Sequence, residues 1–100
     1  MKFELKRKID ILGRIDLPTD LRNHYGFQQG DTLVILPVRN GIHLALSEYF
    51  MMDELSDDMI TTMDSLGRIL VPSVFRNQYR FEPDDILTII PNETCVLICK

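Results

Sequence analysis

The stretch "DILGRIDLPTDLRNHYGF", residues 10–27, returns almost whole as "DSLGRILVPSVFRNQYRF", residues 64–81. An internal repeat decides the fold before any single residue does, because each copy must adopt one local structure and bury its apolar face against something. A shift of 54 positions aligns residues 10–46 with 64–100 without a gap, and fourteen of the 37 pairs are identical. They are Asp10/Asp64, Leu12/Leu66, Gly13/Gly67, Arg14/Arg68, Ile15/Ile69, Pro18/Pro72, Arg22/Arg76, Asn23/Asn77, Tyr25/Tyr79, Phe27/Phe81, Asp31/Asp85, Leu33/Leu87, Ile35/Ile89 and Pro37/Pro91.

Within one copy, "FELKRKID" alternates and predicts a strand from Phe3 to Ile9. "ILGR" predicts a turn in which Gly13 takes a positive φ at little cost. "RIDL" alternates again, with Ile15 and Leu17 on one face and Arg14 and Asp16 on the other. Pro18 suits the first position of a helix, where its missing N–H is not needed. In "PTDLRNHY" Leu21 and Tyr25 share a face, and Gly26 is a natural stop. "DTLVILP" is apolar on both faces, so its strand should be covered on both. "RNGIHLAL" places Asn40-Gly41, a strong hairpin signal, between two apolar runs. The unit reads β–turn–β–helix–β–hairpin–β.

The second copy follows the same plan through "MITTMD", "RILV", "PSVFRNQYR", "DILTIIP" and "TCVLICK". Phe75 and Tyr79 share its helix face. Two edits stand out: Arg80 replaces Gly26, and Thr94-Cys95 replaces Asn40-Gly41. A unit of this size lies near the lower limit for folding without a metal, a disulfide or a partner. Its cheapest partner is a second copy, and placing both in one chain replaces a concentration-dependent association with an intramolecular one.

Charge is unevenly spread. The net charge is −4, yet residues 1–46 carry seven Lys/Arg against five Asp/Glu, and Lys2, Lys6, Arg7, Lys8 and Arg14 gather at the front. Residues 47–59, "SEYFMMDELSDDM", carry five acids and no base, while residues 60–100 carry four bases against five acids. Residues 47–59 read as an acidic linker or short helix between repeats 1–46 and 60–100, with Ser47 as N-cap and Tyr49, Phe50 and Leu55 as apolar grip. No run is long and apolar enough for a membrane helix, and a signal-peptide pattern is absent, which leads to a cytoplasmic expectation and no membrane partner. Cys95 and Cys99, four apart on a strand, would lie roughly 13 Å apart and could not bridge. They read as small apolar strand residues. A zinc site wants more Cys or His at compatible spacing, and His24 and His43 are not read as ligands. Neither a nucleophile–base pair nor a Gly-rich phosphate loop is seen, so the reading is a binding protein with no cofactor, not an enzyme.

The ordered set Asp10, Gly13, Arg14, Pro18, Arg22 and Asp31, returning as Asp64, Gly67, Arg68, Pro72, Arg76 and Asp85, resembles the SpoVT/AbrB superfamily of swapped-hairpin DNA-binding domains. Two copies in one chain look most like its tandem-repeat MraZ branch. The resemblance implies a mainly β fold with short helices, in which two β-β-α-β-β units interleave into one pseudo-twofold barrel. It also implies double-stranded DNA as partner and a nucleoid-associated regulator. Carried over by position, the candidate contacts are Arg7, Lys8, Arg14 and Arg22 in the first copy and Arg68 and Arg76 in the second. Thr61 and Thr62 stand where Arg7 and Lys8 stood. Lys6 joins the list because three successive bases beside Arg14 suit phosphate binding. Asp10–Arg14 and Asp64–Arg68 also read as turn-stabilising ion pairs; Asn23 and Asn77 suit either adenine edges or backbone capping, and the structural role is favoured. Two other readings stay open: an antitoxin-like protein with a toxin partner, and an interaction scaffold that has lost DNA binding. Homo-oligomers fit any of the three.

Overall fold

The structure, a computed structural model, describes residues 4–50 and 54–100. It is mainly antiparallel β with two short helices. In chain order the elements are β1 (Leu5–Lys8), β2 (Arg14–Asp16), α1 (Thr19–Tyr25), β3 (Thr32–Val38), β4 (Gly41–Leu46), β5 (Ile60–Thr62), β6 (Arg68–Leu70), α2 (Ser73–Tyr79), β7 (Ile86–Pro91) and β8 (Val96–Cys99). The strand expected from Phe3 to Ile9 is therefore β1, and Phe3 lies outside the described residues.

Strand pairing runs between the copies. A six-stranded sheet has the order β1-β7-β8-β4-β3-β5, and β2 pairs with β6 in a separate two-stranded ribbon. The first strand of each copy lies on the third strand of the other: Leu5 opposes Ile89, and Ile60 opposes Val34. At the middle, β4 pairs β8 with His43 opposite Leu97, and in the ribbon Ile15 opposes Ile69. Each of these registers maps onto itself or its counterpart under the 54-residue shift. Backbone bonds repeat the exchange: Leu17 N–H donates to the Gly67 carbonyl and Val71 N–H to the Gly13 carbonyl, both at 2.9 Å. The Tyr25 hydroxyl donates to the Asn92 carbonyl, and the Tyr79 hydroxyl to the Val38 carbonyl.

Alternation supplies the core. The inward face of the large sheet presents Leu33, Ile35, Ile42, Leu44, Leu87, Ile89, Val96 and Ile98. Ile9, Ile15, Leu17, Leu21, Phe27, Met63, Ile69, Val71, Phe75 and Phe81 close over it. Every one of these buried residues has its repeat mate in the same cluster. The expectation that β3 is covered on both faces holds for Leu33, Val34 and Ile35, all buried.

Three local expectations are corrected. Pro18 is the residue before α1, not its first residue, with φ −59° and ψ 149°. That extended ψ lets the chain leave β2, while the Pro18 carbonyl still accepts the Arg22 N–H at 3.0 Å. Ser47 is not an N-cap. It opens a single 3-10 turn, Ser47–Tyr49, capped by Leu46 without a side-chain bond. A second such turn spans Asp57–Met59; within the acidic segment, Met51, Met52 and Asp53 lie outside the described residues. Nor does Asn40-Gly41 form the hairpin turn. Val38 pairs with Gly41, so the loop is Arg39-Asn40, and neither takes a positive φ. Gly41 is needed for a close approach instead. A Cβ there would be driven into the Ile98 carbonyl oxygen of the neighbouring β8.

The helix stops bear out one reading and sharpen another. Gly26 ends α1 in the left-handed region at φ 73°, and Arg80 ends α2 in the same region at φ 57°. A side chain there costs about 1 kcal/mol or more. Arg80→Gly is therefore expected to raise unfolding stability by about 1 kcal/mol. Urea denaturation should show a higher midpoint at unchanged slope, and an unmoved or lower midpoint would refute the strain.

Candidate nucleic-acid interface

The turn between β1 and β2 is built by one aspartate. Asp10 Oδ1 accepts the N–H of Leu12 at 3.0 Å and of Arg14 at 2.8 Å, and its Oδ2 receives Arg14 Nε at 2.7 Å. The second copy is superimposable in pattern: Asp64 accepts from Leu66 N and Arg68 N, both at 2.9 Å, and from Arg68 Nε at 2.8 Å. Burial draws the Asp10 carboxyl upward, but the Arg14 N–H, the Arg14 guanidinium and the Leu12 N–H outweigh it, and the group titrates below its ordinary value. At Asp64 the Arg68 N–H is the largest influence and the direction is the same. Both carboxylates thus stay ionised and hold their arginines.

The ion pair and the exposed guanidinium are not competing roles. Only Nε is engaged in either arginine, and the terminal nitrogens have no partner among the described residues. Ile15 and Ile69 point into the core, so Arg14, Asp16, Arg68 and Leu70 lie on the outer face of the β2–β6 ribbon. There Arg14 sits opposite Leu70, and Arg68 opposite Asp16. The two arginines are diagonal neighbours, about 7–8 Å apart along the ribbon.

Arg22 and Arg76 have a different place. Arg22 Nε donates to the Leu17 carbonyl at 2.9 Å and its Nη2 to Thr19 Oγ1 at 2.9 Å; Arg76 Nε donates to the Val71 carbonyl at 2.9 Å. Each guanidinium lies against the glycine turn of the other copy. A Cβ on Gly67 would come within 2.6 Å of Arg22, and one on Gly13 within 2.6 Å of Arg76. Gly13 and Gly67 thus serve twice, by positive φ values of 88° and 78° and by leaving room for an arginine. Arg22 and Arg76 pin the turns that carry Arg14 and Arg68.

The basic run splits by strand phase. Lys6 and Lys8 are exposed on one face of β1, and Lys6 Nζ donates to Thr88 Oγ1 at 3.3 Å. Arg7 shares the phase of Leu5 and Ile9 and bends back to donate to the Lys6 carbonyl at 2.7 Å. At the matching position Thr61 is buried, and its hydroxyl donates to the Leu70 carbonyl at 2.8 Å. Only Thr62, the mate of Lys8, is an exposed substitute.

On the other side of the molecule a cavity of about 140 Å³ opens between Leu36, His43, Ala45, Phe50, Thr94 and Cys95. None of the candidate cations lines it. Cys99 is buried in β8, Cys95 is half-buried just before it, and both are free thiols. No helix among the described residues is long and apolar enough to cross a membrane.

No protein-family model and no curated protein matches this chain. Among solved structures, the chain is similar to the solution structure of PHS018 from Pyrococcus horikoshii, with a TM-score of 0.55 at 16% identity, over 95% of this chain and 86% of that one. That likeness concerns the fold alone.

Sequence reasoning missed the partners across the ribbon. Aligning the repeats sets Asp16 against Leu70, and this was a visible edit. Its meaning depends on the antiparallel pairing, which puts each of these residues beside the other copy's arginine.

Proposed function

We propose that this chain is a DNA-binding transcriptional regulator of the AbrB/MraZ type. In this reading its two repeats form one swapped-hairpin barrel, and the β2–β6 ribbon with its flanking turns faces the duplex. The observation that carries it is the pair Arg14 and Arg68. Each is aimed by an aspartate that accepts its Nε and two backbone N–H groups of one turn, and each leaves its terminal nitrogens without a partner among the described residues, on one exposed face. An antiparallel two-stranded ribbon has the width to enter a major groove, and guanidinium forks there favour guanine edges. Lys6 and Lys8 supply phosphate contacts beside that face. Arg7 extends the basic strand, and Arg22 and Arg76 hold the recognition turns in place. The overall negative charge does not oppose this, because the acids concentrate in residues 47–59.

The test is binding of the whole chain to a pool of random duplexes, followed by titration of the selected sequence. Selective retention of one sequence family, with affinity falling steeply as salt rises, is the expected result. Retention of no duplex at low salt would overturn the assignment.

A further inference from the structure

The repeat gives the ribbon two equivalent ends, and the sequence makes them chemically unlike. One end holds the turn after β1, Leu70 and the start of α2, because Val71 donates to Gly13 and Arg76 lies against Gly13. The other holds the turn after β5, Asp16 and the start of α1, because Leu17 donates to Gly67 and Arg22 lies against Gly67. At the first end Ile11 is 78% exposed, Leu12 57%, Leu70 45% and Val74 45%. Their mates at the second end are Ser65, Leu66, Asp16 and Asp20. Leu12 and Leu66 are equivalent and cancel. Three of the four positions change from apolar to polar or acidic.

Single exposed apolar residues are ordinary on protein surfaces and need no ligand. Here Leu70 faces Arg14 across the ribbon, Ile11 and Leu12 stand in the turn that leads into it, on the face proposed for DNA, and Lys8 leads into the same turn. Carbon beside a guanidinium suits a groove edge that presents both an acceptor and a methyl group. In the major groove that methyl belongs to thymine C5, and apolar side chains are its recognised partners. At the opposite end Asp16 faces Arg68 and would repel phosphate.

We propose that the two ends read unlike half-sites, and that Ile11 and Leu70 read thymine 5-methyl groups in the half-site taken by Arg14. This rests on the DNA-binding reading. It commits the patch to duplex DNA rather than to a second copy of the chain.

The experiment uses the whole chain and its selected duplex. Thymines are replaced by uracil one half-site at a time, which removes the methyl and leaves base pairing and groove acceptors intact. Uracil in one half-site should weaken binding about fourfold per contacted methyl, and uracil in the other should change it less than twofold. Ile11→Ser with Leu70→Asp should abolish that penalty. Ser65→Ile with Asp16→Leu should create the same penalty in the other half and shift the selected site toward a palindrome. All four positions are exposed or in an exposed turn, and circular dichroism would confirm that each variant is folded. A duplex bound equally well with uracil in either half would overturn this inference while leaving DNA binding standing. So would a change of oligomeric state by light scattering in the Ile11→Ser, Leu70→Asp variant without any uracil effect. Binding to no duplex would overturn both readings.

Discussion

Residues 1–50 and 56–100, prepared as separate chains, are expected to be unfolded as monomers and to fold when mixed. Among the described residues, β1 finds its partner only in β7, β5 only in β3, and β2 only in β6. A half on its own would keep one short helix and one hairpin, with two strands left without ladders. Its core would fare worse. The buried cluster is made of repeat-related pairs, one member from each half. Removing one half exposes every member of the other. Apolar burial contributes roughly 25 cal/mol per Å², and a chain of this size has no reserve to lose half of it. The hydroxyls of Tyr25 and Tyr79 would also lose the carbonyls that receive them in the opposite copy. Circular dichroism and amide spectra at micromolar concentration are expected to show coil for either half. An equimolar mixture should regain structure as concentration approaches the roughly millimolar value that a short linker supplies. A half that folds only as a homodimer obeys the same logic, since a second identical unit can stand in for the missing one. A dispersed, concentration-independent spectrum from a monomeric half would refute the shared core.

What the sequence made legible was punctuation and phase. Gly26 marked its stop because a left-handed residue is a local requirement. Ile15, Leu17, Leu33 and Ile35 marked their inward faces because alternation is local too. Gly41 was legible as a special position but not for its reason. The glycine is demanded by the β8 backbone, far away in sequence, and no short-range signal carries that. The same limit hid the work of Arg22 and Arg76. As letters they are helix cations, and only the exchange of turns between copies lays them over Gly67 and Gly13. Thr61 was read beside Thr62 as one polar pair, yet adjacent strand residues face opposite ways, and Thr61 is buried against β6. On the candidate face, Arg14 and Arg68 were legible from the motif. The edit from Asp16 to Leu70 was legible as a difference, and its consequence waited on the register.

That register sets the last expectation, on the whole chain and a selected duplex. Arg14→Ala should cost more affinity than Arg68→Ala, although the two side chains are held alike. Arg14 faces Leu70 across the ribbon, and Arg68 faces Asp16. A carboxylate within cross-strand reach offsets part of the Arg68 charge and repels phosphate, whereas a leucine does neither. Loss of a guanidinium fork from a base edge is worth about 1–3 kcal/mol, or roughly fivefold to 150-fold in affinity. Arg14→Ala belongs toward the upper part of that range and Arg68→Ala at or below its lower end. Asp16→Asn should then strengthen binding, and it should deepen the loss on Arg68→Ala in a double-mutant cycle. Lys6→Ala with Lys8→Ala should flatten the plot of log affinity against log salt by about two units, since each neutralised phosphate contributes roughly 0.9. Thr62→Ala is the matching control and should leave the slope unchanged, because a hydroxyl releases no counterion. Thr61 is unsuitable for that purpose, as its buried hydroxyl bonds the Leu70 carbonyl and its loss would be felt in stability. Fluorescence anisotropy across a salt series measures all of these. Equal losses from Arg14→Ala and Arg68→Ala would sink the polarity of the ribbon, and a wild-type affinity indifferent to salt would sink phosphate binding with it.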